Sequence, residues 1–245
     1  MMTKFWSILL PMLIMLAPPA AAQVKVGTKE GTFEAGLAIL NLFEEQPEPV
    51  QQLYKAAYNI FAVDPDATFM DISENPAVQR ICRENDITHL GGPLLGSVTS
   101  NSAKVWIRTL KPADVEVRFT IKGEERSYGP VRSSAESDLS AVVSVTNLEP
   151  ATRYPYRVLV DGDPITIPEH AAIVTAPPGS ETGKVRIAFG SCFHRWGIAN
   201  PAEAKLIRSR EPATMLLIGD IAVQDRNNHL GQHRADYFLR DLHPS

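Results

Sequence analysis

Cysteine is scarce: the 245 residues hold two, Cys82 and Cys192. That excludes a disulfide-rich scaffold and a zinc site built from cysteines alone. Charge of one sign is not in excess either. With 24 Lys+Arg against 28 Asp+Glu the formal net charge is -4, so no general polyanion-binding surface is expected and nucleic acid is not an expected partner. Aromatics are only 7% of the chain. After residue 16 no apolar run is long enough to anchor in a bilayer. What is present, 44% hydrophobic and 21% charged residues, is a globular composition that argues against disorder, collagen and a polytopic membrane protein. The length allows one or two domains, at about 150 residues each.

The first residues read as a targeting segment. Lys4 precedes the apolar run Phe5–Leu16, and Ala20-Ala21-Ala22 supplies a small-residue cleavage site. A signal peptide over 1–22, with Gln23 as the mature first residue, is favoured over a membrane anchor by Pro11 and the small-residue exit. There is no twin arginine, so the general secretory route is expected, to the periplasm or the medium.

Residues 23–87 predict a helical N-terminal region. Phe33, Leu37, Leu40 and Phe43 fall near helical spacing. The run Val50, Leu53, Tyr54, Ala57, Tyr58 and Phe61 repeats that spacing more clearly, stopping before Asp64-Pro65. Asn75-Pro76 reads as the cap and first residue of a further helix carrying Val78, Ile81 and Cys82. No chemistry is evident here, and Cys82 reads as a buried apolar filler.

From about 88 to 178 the period becomes two. Val105 and Ile107 alternate with polar neighbours, as do Val115, Val117, Phe119 and Ile121. Leu139, Ala141, Val143 and Val145 do the same, followed by Tyr154, Tyr156, Val158 and Val160. Asp161-Gly162 is a hairpin signal. Short strands separated by turns predict a β-sandwich. Trp106, opposite in phase to Val105 and Ile107, either covers a neighbouring domain or is a half-buried surface aromatic.

After the linker Pro177–Gly183 the pattern is β-α-β. Val185, Ile187 and Phe189 form a strand ending at Gly190-Ser191-Cys192. Asn200-Pro201-Ala202-Glu203 opens a helix, and Thr214–Ile218 is an all-apolar strand ending at Gly219-Asp220. Two such strands should be parallel neighbours or near neighbours. A last helix is expected over about Leu230–Leu242, with Tyr237 and Phe238 on one side.

Ligands in open α/β sheets collect beyond the carboxyl ends of strands. Cys192 and Asp220 stand at two such ends. A carboxylate there suits bridging two cations, and a thiolate suits a softer metal. Each also has a plain reading, as a turn residue and as a helix cap.

Gly190-Ser-Cys192 after one strand, with Leu-Leu-Ile-Gly219-Asp220 after the next, resembles the alkaline phosphatase D (PhoD-like) metallophosphoesterases. The Val105–Arg108 strand and the Leu148–Tyr156 stretch, which is similar to the tyrosine corner of a fibronectin type III domain, resemble that family's N-terminal domain. The resemblance covers about residues 89–245. It implies a multi-domain chain: a fibronectin III/Ig-like β-sandwich over 88–178, then over 183–245 the start of an α/β (αββα-type) metallophosphoesterase domain. It also implies hydrolysis of phosphate esters at a binuclear metal centre, iron with calcium, in which Cys192 would bind the iron and Asp220 would bridge both ions.

Two departures stand out. The family's Gly-Asp-Tyr-x-Tyr run is here Gly219-Asp220-Ile221-Ala222-Val223, and Val223 cannot ligate a metal. Gln224, Asp225, Asn227 and Asn228 could supply oxygens, or could form a solvated polar loop. The family's later Asp-Asp-His and His motifs are not found in the 245 residues. His229 and His233 could share a helix face, but no third ligand is placed with them. His194 and Asn228 are candidate substrate contacts. Two parallel strands cannot bury both faces, and such a sheet needs about four. The catalytic domain therefore reads as truncated, and the 245-residue chain is expected to show no turnover. The alternative reading is a non-catalytic exported binding protein built on the sandwich.

Overall fold

The computed structural model describes residues 33–41, 44–121, 123–180, 184–191, 200–219 and 230–242. The signal-like segment, residues 1–22, lies outside these. No helix among the described residues is long and apolar enough to cross a membrane.

Four helices come first: α1 (Phe33–Leu40), α2 (Glu48–Val63), α3 (Phe69–Glu74) and α4 (Pro76–Glu84). In α2, Leu53, Tyr54, Ala57, Tyr58 and Phe61 form one buried face, the stripe that helical periodicity demands. For α4, the Asn75 side chain accepts from the Ala77 N–H and Pro76 occupies the first turn, where its missing N–H costs nothing. The short α3 has little periodicity to announce it. It is set by a reciprocal cap, in which the Asp71 N–H donates to the Thr68 hydroxyl and the Thr68 N–H donates to the Asp71 carboxylate.

The sandwich follows. One sheet runs β1 (His89–Gly96), β2 (Ala103–Thr109), β5 (Ser140–Val145), in the order β1-β2-β5. A second runs β4 (Glu124–Arg132), β3 (Asp114–Ile121), β7 (Arg157–Val160), β8 (Asp163–Pro164), and a two-stranded piece pairs β6 (Arg153–Pro155) with β9 (Ala172–Val174). Alternating residues of β2, β3 and β5 fill the core, Val105, Ile107, Val117, Val143 and Val145 among them. The sheet-to-sheet corner is tied by Tyr154, whose hydroxyl accepts from the Glu149 N–H at 2.8 Å, the hydrogen bond of a tyrosine corner.

Two differences from the sequence expectation have physical causes. Tyr154–Val160 reads as one strand but is two, because β6 pairs with β9 and β7 with β3. The chain changes sheets at Tyr156, and alternation is preserved across the bend since both pieces face the same core. β4 escapes periodicity because it is an edge strand with mostly exposed residues.

The last part comprises β10 (Ile187–Gly190), α5 (Pro201–Ser209), β11 (Thr214–Leu217) and α6 (Leu230–Leu242). Although α6 follows β11 in the chain, it packs on α2 and β1. Ala235 and Phe238 join Leu53, Tyr54, Phe61 and Ile72 in one fully buried cluster. Gly231 sits where a side chain would meet the Phe61 carbonyl oxygen, and Gly91 where one would meet Asp241 and Trp106. Trp106 thus faces α6, on the side of β2 opposite the sandwich core.

Arg108 fastens this seam. It pairs with Asp241 of α6 at 2.7 Å, with side-chain exposures of 11% and 4%. It also reaches Asp138 at 3.6 Å and lies 3.7 Å from the centre of the Phe69 ring. Asp138 in turn accepts from the Phe69 N–H at 2.7 Å. In the middle of α6 the Tyr54 hydroxyl bonds buried Asp236 at 3.1 Å, across 182 residues of chain.

Candidate functional site

β10 and β11 are parallel and in register, Ile187 opposite Thr214 and Gly190 opposite Leu217. A further hydrogen bond, from the Ile218 N–H to the Gly190 carbonyl at 2.9 Å, carries the pairing to the last residue of β10. Both strands therefore end at the same edge, at Ser191 and at Ile218-Gly219. Gly219 has φ +128°, a conformation side chains rarely adopt, with open space where a Cβ would stand. Its glycine is required by the turn itself.

Between the strands runs α5, started by Asn200, whose side chain accepts from the Glu203 N–H at 3.1 Å, with Pro201 in the first turn. The connection closes with the Ala213 N–H donating to the Arg186 carbonyl at 2.8 Å. Arg208 of α5 reaches back to the sandwich, approaching the His170 ring at 3.5 Å.

Cys192 and His194 fall in 192–199, outside the described residues. So do Asp220, Val223, Gln224, Asp225, Asn227, Asn228 and His229, all in 220–229. Of the elements beside them, β10 and β11 are adjacent strands that end at one sheet edge. His233 lies in α6, half-buried and stacked on the Tyr237 ring at 5.3 Å. Among the described residues no group of three or more His, Cys, Asp or Glu could hold a metal ion. Cys82 is buried, and burial pushes its thiol up to about 11, with Arg83 opposing the rise, which leaves it a neutral, apolar group rather than a ligand. Tyr156 is likewise pushed up to about 12 by burial.

Sequence reasoning missed Arg108 as the residue that anchors α6. Its phase in β2 put it on the outer face with Trp106, but its partner Asp241 lies 133 residues away, beyond any local pattern.

Residues 88–178 match a family model described as a domain of unknown function, DUF7800. No curated protein matches the sequence. Among solved structures, one titled "Structure of PhoD" is similar at 17% identity and a TM-score of 0.43, over 63% of this chain and 36% of that one. The chain thus spans about a third of that structure's length. A redesigned β-sandwich protein is similar at 21% identity and a TM-score of 0.25, over 34% of this chain and 89% of that one.

Proposed function

We propose that this chain contributes the first two metal ligands of an exported, metal-dependent phosphoric ester hydrolase, Cys192 and Asp220. The observation that carries the reading is the parallel register of β10 and β11, which end together, at Ser191 and at Ile218-Gly219, on one sheet edge. Strand ends of this kind are where α/β sheets hold ligands. The donor types fit a mixed centre, since a thiolate suits iron and a carboxylate suits a hard ion such as calcium. Such a centre supplies an activated water and positive charge at the phosphoryl oxygens. The protein's own part is the parallel pairing of β10 with β11 and the sharp turn at Gly219.

Two donors are too few for a binuclear centre, and no donor cluster is found among the described residues. No catalytic step is therefore assigned to this chain alone. His194 and Asn228, close in sequence to the two ligands, are proposed to contact the phosphate ester. Export is supported by the Lys4, Phe5–Leu16 and Ala20–Ala22 pattern, and N-terminal sequencing of the secreted protein should begin at Gln23.

The deciding experiment uses the gene's natural full-length product. Its bound metal and its hydrolysis of bis(p-nitrophenyl) phosphate should both be lost in Asp220→Ala and Cys192→Ser. Undiminished hydrolysis in Asp220→Ala would sink the reading.

A further inference from the structure

A cleft of about 320 Å³ opens where the helical layer meets the sandwich. That is within the size range of small-molecule sites, which favour such seams. Its floor is apolar and comes from both sides. Ile87 and Leu110 pack on the helical core, Val160 packs on the sandwich core, and Cys82 adds a buried thiol. Because burial holds that thiol neutral, the floor offers no nucleophile and no ligand for a metal. It offers surface for a small apolar body.

The rim has the opposite character. Arg83 and Lys111 both line it, and both are exposed. Lys111 meets Asp161 at 3.7 Å, with side-chain exposures of 75% and 40%. A pair so hydrated is worth little and can be exchanged for another anion at small cost. Arg83 follows Cys82 directly in α4. A guanidinium presents a planar fork that fits carboxylate or phosphate oxygens two at a time. A cationic rim over an apolar floor matches a molecule with one anionic end and one short apolar end.

We propose that this cleft binds a small amphipathic anion, its carboxylate or phosphate head held by Arg83 and Lys111 and its body seated on Ile87, Leu110, Val160 and Cys82. The cleft uses no residue of 184–219, so it stands or falls separately from phosphoester hydrolysis.

Titration calorimetry of the 245-residue chain with octanoate, octyl phosphate and 1-octanol tests it. One-to-one saturable binding of at least one of the two anions is expected, with 1-octanol weaker by about tenfold, the value of a charge-assisted contact. Whichever anion binds tighter identifies the head. Arg83→Gln and Lys111→Gln, both at exposed positions that folding tolerates, should each weaken the anion about tenfold. No saturable binding of either anion, equal binding of 1-octanol, or unchanged affinity in both variants would each overturn the proposal.

Discussion

Two regions of this molecule treat their apolar residues in opposite ways. In the helical layer, Tyr54, Phe61, Ile72 and Phe238 are fully buried. In the β10-α5-β11 segment no residue of α5 is buried, and Phe189 and Ile218 are 73% and 62% exposed. The local signals are equally good in both. α5 has a side-chain cap and a proline in its first turn, as α4 has, and β10 pairs with β11 without a register shift. Capping and pairing decide which elements form. They do not decide how much surface leaves water, which depends on what lies on top.

Helix α6 sharpens the contrast. It is the chain neighbour of β11, yet its buried residues belong to the helical core. The comparison is most easily broken there. Phe238→Ala should cost about 3–5 kcal/mol, the range for emptying a buried aromatic site, measured by urea denaturation. Arg108→Ala should cost about 3 kcal/mol, because the close, buried ion pair with Asp241 is broken. A double variant replacing both Arg108 and Asp241 with leucine should be less destabilised than Arg108→Ala, which separates charge from packing. Tyr54→Phe removes the hydroxyl bonded to Asp236 and should cost about 1–2 kcal/mol by the same measurement.

A smaller effect is expected from pH. Burial lowers the pKa of His89 from the ordinary 6.5, with the Gly92 carbonyl opposing. The unfolded chain then takes up the proton more readily than the folded one. Stability is full above about pH 6.5 and declines as pH falls from there towards the folded pKa. His89→Gln should flatten that decline in midpoint-against-pH measurements. The smallest change belongs to the other region: Phe189→Ala should alter stability by no more than about 0.5 kcal/mol, as for other exposed positions. A cost comparable to that of Phe238→Ala would erase the contrast between the two regions.

Much of the fold was legible from single elements. The buried face of α2 is the periodic run read from the sequence, α4 starts at Asn75-Pro76, and β2, β3 and β5 alternate as written. The Tyr154 corner was also legible, because its bond spans five residues. β4 was hidden because an edge strand need not alternate. The break between β6 and β7 was hidden because both halves face one core. For the candidate site, Gly190 and Gly219 are found at adjacent strand ends, while Cys192, His194, Asp220 and Asn228 lie outside the described residues.

By itself the sequence determined where helices α2, α4 and α5 and the alternating strands β2, β3 and β5 lie, and which face of α2 and of these strands is apolar. These are matters of caps, turns and spacing, settled within a few residues. Only the tertiary structure decided that α6 closes on α2, that Arg108 meets Asp241, and that an apolar cleft with a cationic rim opens between the two cores. The contacts of α6 join residues far apart, 133 positions for Arg108 with Asp241 and 182 for Tyr54 with Asp236. A buried surface or ion pair depends on which faces meet, and a local pattern names a face without naming its partner.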